Sequence, residues 1–232
     1  MNQEHLASYT LSQDKMDKII TFIMDTSNKF NIDSGHGLEH SRKIFYFCSQ
    51  LIPYYTLTEN QILTIELASL LHDMCDKKYM DESEGIVRIE DFLQNELNIP
   101  KLIIGDIETI ILNMSYSKVI KNGYPDFTYM KHIETPFHIV RNADLLCAYE
   151  LERCMEYQKR SGSNRKECLE KMFSIYSNRV SKQIVDGYIN LEPAIKIAKQ
   201  LEVECKNNYE LYENEYRDLL TKLGIEQRIS RQ

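Results

Sequence analysis

Apolar residues recur every three or four positions along most of this chain, and this spacing is typical of amphipathic helices. The first helix is predicted over residues 14–29 and the second over residues 40–51, before Pro53. Four later stretches show the same periodicity: residues 83–96, 100–114, 165–183 and 192–220. No stretch alternates for long enough to indicate a strand. We therefore predict an all-α fold, an irregular helical bundle.

The best-marked element begins at Thr58, which forms the pattern of a capping box with Gln61. Residues 62–71 then follow as an almost unbroken apolar run. A helix that is apolar nearly all round is normally buried. This helix is therefore expected in the middle of the bundle.

Two predictions concern the segment between residues 115 and 160. Residues 115–131 are predicted as a polar loop, because Gly123 and Pro125 interrupt the helical pattern. Pro136 then fits the first turn of a helix, and the periodicity after it predicts one long helix to about Arg160.

The length of 232 residues and the hydrophobic content of 43% are sufficient for a sizeable core. Only 8 glycines and 5 prolines occur, and no linker-like stretch is present, so a single domain over residues 1–232 is predicted. Within it, a core that carries the motifs spans about 33–150, and a helical extension spans about 165–220. The residues after this extension are expected to fray.

The formal net charge of -7 argues against nucleic acid or an anionic membrane as a partner bound through bulk charge. The six cysteines include no C-x-x-C pair, and Cys75 and Cys147 lie within apolar helical patterns, which favours reduced thiols in an intracellular protein. The first residues are polar, unlike a signal sequence, and no run of about 18 apolar residues occurs. A cytoplasmic protein is expected, and the sequence leaves open whether it forms a homo-oligomer.

Four residues with metal-binding side chains lie on or beside apolar helical segments: His40, the adjacent pair His72 and Asp73, and Asp144. Two imidazoles and two carboxylates suit a divalent transition ion or magnesium. Adjacent helical residues point about 100° apart, so the His-Asp pair can share an ion only where a helix ends. Taken alone, the pair has another interpretation, in which His72 bonds to the last carbonyls of the helix and Asp73 is solvated.

The order of these residues, H, then HD, then D, resembles the HD superfamily of metal-dependent phosphohydrolases. The likeness is strongest to one bacterial subgroup and covers about 33–150. It rests on four segments: residues 35–44, residues 68–79 (ASLLHDMCDKKY), residues 111–118 (ILNMSYSK) and residues 140–148 (VRNADLLCA). The resemblance implies an all-helical domain with His40, His72, Asp73 and Asp144 as metal ligands. It does not distinguish manganese, magnesium, cobalt, nickel, iron or zinc.

The chain departs from the subgroup pattern at four positions. Lys43 replaces an arginine, and Lys77 replaces an aromatic residue. Asn142 and Leu145 replace an aspartate and an arginine beside Asp144. These departures bear on the identity of the substrate more than on metal binding, because all four ligand types are intact.

Asp76 is the predicted catalytic residue outside the ligand set. It follows His72 by four positions, so it shares a face with the ligand pair if the helix continues. Phosphoryl hydrolysis needs a base near the attacking water, and related HD enzymes use an acidic residue at about this offset. Two other roles stay open: orientation of His72, or a solvated carboxylate.

Substrate contacts are predicted at His36, Lys43, Lys78 and Lys118, because phosphate groups need positive neighbours. For His36, a fifth ligand or an ordinary loop imidazole are the alternatives, and a solvated surface is the alternative for each lysine. Three tyrosines near the motifs either stack on a nucleobase or pack in the core: Tyr79, Tyr116 and Tyr124.

These observations favour a metal-dependent phosphohydrolase that acts on a nucleotide or another small phosphate ester. The subgroup likeness puts cleavage of a nucleoside triphosphate to monophosphate and pyrophosphate first. A 5′-nucleotidase, a phosphodiesterase and a non-catalytic nucleotide-binding regulatory protein are the alternatives.

Overall fold

The computed structural model describes residues 10–224, where the chain forms ten α-helices and no strand. This confirms the predicted all-α fold. The helices are α1 (Gln13–Phe30), α2 (Leu38–Leu51), α3 (Glu59–Leu71), α4 (Glu82–Asp91), α5 (Lys101–Asn113), α6 (Tyr116–Asn122), α7 (Lys131–Leu146), α8 (Leu151–Arg160), α9 (Arg165–Asn178) and α10 (Glu192–Lys222).

Helix α3 lies at the centre of the bundle, as its sequence predicts. Every residue from Thr64 to Leu71 is buried, and α2, α5 and α7 pack around it. The capping box at its start is confirmed, because the Thr58 side chain accepts a hydrogen bond from the backbone N–H of Gln61 at 3.3 Å. The end of this central helix therefore delivers the His-Asp pair into the interior.

The predicted polar loop over residues 115–131 is wrong in its first half, which forms α6. The Ser115 hydroxyl caps this helix by accepting from the Lys118 N–H, and Val119 packs into the core. Gly123 ends it with φ of 75°, a left-handed conformation that suits glycine. Gly123 thus marks the end of a short helix rather than the middle of a loop.

Pro136 is not in the first turn of its helix, because α7 begins five residues earlier, at Lys131. A proline inside a helix cannot donate to the carbonyl four residues before it. Here that carbonyl belongs to His132, and it accepts instead from Nε2 of Gln61 at 2.6 Å. The neighbouring helix α3 thereby replaces the missing bond.

The long helix predicted to Arg160 is interrupted after Leu146. A 3₁₀ turn covers Cys147–Tyr149, and Glu150 is extended before α8 begins. Cys147 and Tyr149 are buried, so packing stabilises this break, which no glycine or proline marks in the sequence.

Helices α9 and α10 lie in the stretches predicted as helical over residues 165–183 and 192–220, although α9 ends at Asn178 and a 3₁₀ turn follows it. Within residues 10–224 no helix is long and apolar enough to cross a membrane. The polar first residues and the predicted fraying at the end of the chain concern residues 1–9 and 225–232, which lie outside the described residues.

A close helix contact supports the turn that carries the ligand pair. Gly85 in α4 lies so near this turn that a Cβ added to it would be 2.5 Å from Cβ of Cys75. We expect Gly85→Ala to lower the free energy of unfolding by about 1–3 kcal/mol, because the turn has to move. Gly105 in α5 is the matched control, since its added Cβ meets nothing within 4 Å. Gly105→Ala should instead stabilise by about 0.5–1 kcal/mol.

Urea unfolding followed by circular dichroism measures both changes. A Gly85→Ala protein as stable as the parent would show that the turn tolerates displacement.

Candidate metal centre

Three helices bring the four predicted ligands to one place. His40 lies in the first turn of α2, and Asp144 lies in the last turn of α7. Helix α3 ends at Leu71, and His72 and Asp73 begin a series of turns. The regular α-helical hydrogen-bond pattern ends here, since the Met74 N–H donates to the Leu71 carbonyl, three residues back, at 2.9 Å. The two adjacent side chains can therefore face one point.

The distances between the side chains match those between ligands of one ion. His40 Nε2 lies 3.5 Å from Asp73 Oδ2 and 3.5 Å from Asp144 Oδ1, and His72 Nε2 lies 3.1 Å from Asp73 Oδ2. His40, His72 and Asp73 offer ligand atoms that all lie within 4.8 Å of one another, and Asp144 joins them through its contact with His40. Ligands about 2.0–2.3 Å from a shared ion are separated by similar distances.

His72 is oriented by the helix that it follows. Its Nδ1 lies 3.0 Å from the Ser69 carbonyl, which can only accept, so Nδ1 carries the proton and Nε2 presents a lone pair. A hydrogen bond of this kind fixes the ring of a metal-binding histidine. The helix-terminal bond considered for a lone His-Asp pair is thus present, and it leaves Nε2 available as a ligand.

The lone pair of His72 Nε2 faces the carboxylate of Asp73 in the interior. Both Nε2 and Asp73 Oδ2 are buried, and neither takes part in a hydrogen bond in the described part of the chain. Two acceptors 3.1 Å apart repel unless a cation, either a proton on His72 or a metal ion, lies beside them. The donor set and these two buried atoms fit a metal ion.

The charges of the four groups favour cation binding. Burial would raise the pKa values of Asp73 and Asp144, but His72 acts on Asp73 and His40 acts on Asp144 to hold them well below the usual range. Burial lowers the pKa of His40 to about 4, so its imidazole is neutral at pH 7. For His72 burial opposes the charged form, but Asp73 outweighs it and raises the pKa.

Arg153 is part of the site and carries no sequence signal. Its Nη2 donates to His40 Nε2 at 2.9 Å, and its Nε donates to the Gly35 carbonyl at 2.6 Å. In a continuous helix, Arg153 would follow Asp144 by nine residues, or two and a half turns, and would face away from it. The break after Leu146 instead turns the Arg153 side chain towards the ligands, where it contacts His40. Arg153 and a metal ion therefore compete for the same lone pair of His40.

His36 lies beside the ligands within a hydrogen-bonded chain. The Asp33 carboxylate accepts from the Gly35 N–H at 2.7 Å, from His36 Nδ1 at 3.0 Å and from the Tyr79 hydroxyl. Although burial would raise it, the pKa of Asp33 is held well below its usual range by His36 and Tyr79. His36 Nε2 then accepts from Lys78 Nζ at 3.2 Å. The sequence analysis did not predict that Asp33 and Tyr79 take part in these hydrogen bonds.

Asp76 lies on the wall of the same cavity as His72 and Asp73. The sequence argument for this position assumed that the helix continues to Asp76, but α3 ends at Leu71. Its carboxylate is held by Lys78 twice, from the backbone N–H at 2.9 Å and from Nζ at 3.2 Å. This places a fixed carboxylate beside the ligand pair.

The predicted lysine contacts divide into two groups. Lys78 and Lys118 line the cavity, and Lys118 Nζ donates to Glu82 at 2.6 Å. Lys43 does not line it, and its Nζ donates to Glu150 at 2.5 Å.

The cavity beside the ligands has a volume of about 470 Å³. The helical extension supplies part of its wall through three residues of or next to α9, namely Lys171, Ile175 and Arg179. Six of the residues that line it are basic: Lys77, Lys78, Lys118, Arg153, Lys171 and Arg179. Five acidic residues line it as well: Asp73, Asp76, Glu82, Asp144 and Glu150. Asp73 and Asp144 are candidate metal ligands, so with an ion bound to them the basic residues would outnumber the remaining carboxylates and would suit an anionic ligand.

Two departures from the subgroup pattern have a structural explanation. The Asn142 amide group donates to Asn190 Oδ1 at 2.8 Å, and its oxygen accepts from the Asn190 N–H at 3.0 Å. An aspartate could not donate, so asparagine suits the connection to the segment that precedes α10. Leu145 is buried in the core.

Comparison with known proteins supports the fold alone. No family model matches this chain, and no curated protein matches it. It resembles the crystal structure of a Lactobacillus plantarum protein solved as a Northeast Structural Genomics target, with a TM-score of 0.66 and 17% identity. The match covers 90% of this chain and 100% of that one.

Proposed function

We propose that this protein is a metal-dependent phosphohydrolase that acts on a nucleotide or another small phosphate ester. The observation that carries the proposal is the convergence of His40, His72, Asp73 and Asp144 beside a cavity lined by basic residues. The resemblance of residues 33–150 to the HD superfamily adds support.

A divalent ion held by these four residues supplies Lewis-acid polarisation of a phosphoryl group. The chain itself supplies the base. Asp76 is fixed by Lys78 at the cavity wall, where its carboxylate can take the proton of an attacking water. Hydrogen bonds from Lys78 keep this carboxylate in one orientation, which is what a positioned base needs.

Positive side chains neutralise the phosphate oxygens and the leaving group. Arg153 is the nearest such group to the ligands. Its Nε stays bonded to the Gly35 carbonyl, and an anionic substrate oxygen is a suitable acceptor for Nη2 in place of His40. Lys118, on α6, lines the same cavity, where it is paired with Glu82, and contributes a second positive group.

Within this class, we propose hydrolysis of a nucleoside triphosphate to monophosphate and pyrophosphate. A triphosphate carries about four negative charges, of which one divalent ion neutralises only two, so further cations are required. Tyr79 takes part in the Asp33–His36 chain, and Tyr116 and Tyr157 line the cavity, where an aromatic ring can stack on a base.

A panel of phosphorylated metabolites tests this proposal. The protein is incubated with manganese, magnesium, cobalt or nickel, and phosphate and pyrophosphate are assayed separately. We expect pyrophosphate and nucleoside monophosphate to appear in equal amounts from a triphosphate, and no turnover in the presence of a chelator. Phosphate released from monophosphates alone would indicate a 5′-nucleotidase instead, and no turnover of any member with any ion would contradict the proposed class.

A further inference from the structure

Arg179 is a cation in the cavity wall that has no anionic partner. It follows the last residue of α9, and its guanidinium carbon lies 4.0 Å from the centroid of the Tyr116 ring. Within residues 10–224 it forms no hydrogen bond or ion pair through its side chain, and its Nε is buried without a partner.

Arg165, at the start of the same helix, is an arginine of this protein whose guanidinium is paired with a carboxylate. It also lies over a tyrosine, Tyr212, with its guanidinium carbon 5.8 Å from the ring centroid. Unlike Arg179, it donates two hydrogen bonds to Glu215, at 2.6 Å and 2.7 Å, and it does not line the cavity.

Arg88 and Arg141 also lack a carboxylate partner within residues 10–224, but neither lines the cavity. Arg153 lines it, but its side chain donates to His40 and to the Gly35 carbonyl. Arg179 thus combines a place in the cavity wall with a guanidinium that donates to no group of the described residues.

A guanidinium stays charged in a protein, so removing it from water without a counter-charge is costly. Burial lowers the pKa of Arg179, and the carboxylate of Asp144 only partly offsets this. Asp144 is a proposed metal ligand, so its charge is shared with the ion. A positive charge therefore remains for an anion that enters the cavity.

The position of Arg179 is set by stacked side chains behind it. Tyr116 packs edge-on against Tyr188, with ring centroids 5.0 Å apart. The Tyr188 carbonyl accepts from Nη1 of the buried Arg141 at 2.5 Å, which ties this segment to α7. Arg179 is thus held over a fixed ring, and little conformational freedom is lost when it binds a ligand.

We propose that Arg179, together with Arg153 and Lys171 of the same wall, binds a second phosphate group of a substrate whose scissile phosphate lies at the four-ligand site. This inference rests on the proposed function and assigns named residues to the phosphate group next to the scissile one. Arginine suits this role because its planar group forms paired hydrogen bonds with a phosphate.

Calorimetric titration with inorganic pyrophosphate and with inorganic phosphate, both in the presence of magnesium, tests the inference without turnover. We expect Arg179→Gln to weaken pyrophosphate binding by about 10–100-fold and phosphate binding by less than about 3-fold. The matched control Arg165→Gln should leave both affinities within about twofold of the parent. If Arg179→Gln fails to fold, Arg179→Lys keeps the charge and should still weaken pyrophosphate binding, because it loses the planar group.

Three results would overturn the inference: pyrophosphate affinity that is unchanged in the folded variant, equal losses for phosphate and pyrophosphate, or failure of pyrophosphate to bind the parent protein. The substrate panel separates the two proposals. Pyrophosphate binding that depends on Arg179, without turnover of any panel member, would leave an anion site and contradict the hydrolase. Turnover of a triphosphate that is unaffected by Arg179→Gln would support the hydrolase and contradict the role of Arg179.

Discussion

Asp73→Ala is expected to abolish metal-dependent turnover and to leave the helical circular-dichroism spectrum largely intact. Asp73 Oδ2 lies within 3.5 Å of both His40 Nε2 and His72 Nε2, so its loss removes the negative charge between two ligands. Removal of a ligand should lower activity by about 10³-fold or more, because the ion supplies much of the charge stabilisation of the transition state.

The matched control is Asp106→Ala, which breaks another His-Asp contact. Asp106 lies 2.9 Å from Nε2 of His132, away from the cavity, and its loss should leave turnover within about twofold of the parent. Activity of Asp73→Ala near the parental value would contradict the proposed mechanism.

Asp76→Asn is expected to lower kcat by about 10²-fold or more, with metal affinity changed by less than about threefold. The amide oxygen can still accept from the Lys78 N–H, so the local turn is kept while the proton acceptor is lost. Steady-state kinetics and calorimetric titration with manganese measure the two quantities separately.

Asp14→Asn is the control for Asp76→Asn, since Asp14 forms a comparable contact with Lys18 on the surface, 3.3 Å long. A loss of metal affinity as large as the loss of kcat would show that Asp76 supports the ligands instead of acting as a base. An unchanged kcat would remove Asp76 from the mechanism.

The sequence predicted a helix best where local patterns, such as apolar periodicity and a capping box, determined its bounds without tertiary contacts. The apolar run and capping box of α3 gave its start and its buried position, and the central position of α3 then follows from its composition. The errors arose where tertiary contacts replaced local rules. Gln61 satisfies the carbonyl that Pro136 leaves free, so the proline does not mark a helix start.

The same limit applies to the site. The four proposed ligands could be found from residue type and order, and the structure brings them together. Arg153 and Arg179 could not be found, because each depends on a bend or a helix end that has no local signal. Arg153 turns inward only because the chain breaks between Leu146 and Leu151. Asp33 was hidden as a loop residue, and its bond to Tyr79 joins two segments 46 residues apart.

The central claim is that His40, His72, Asp73 and Asp144 hold one divalent ion. Anomalous X-ray diffraction from crystals of the whole chain grown with manganese tests it most directly. We predict one anomalous peak about 2.0–2.5 Å from His40 Nε2, from His72 Nε2 and from a carboxylate oxygen of each aspartate. With manganese in excess, a map with no peak among these four side chains would contradict the claim.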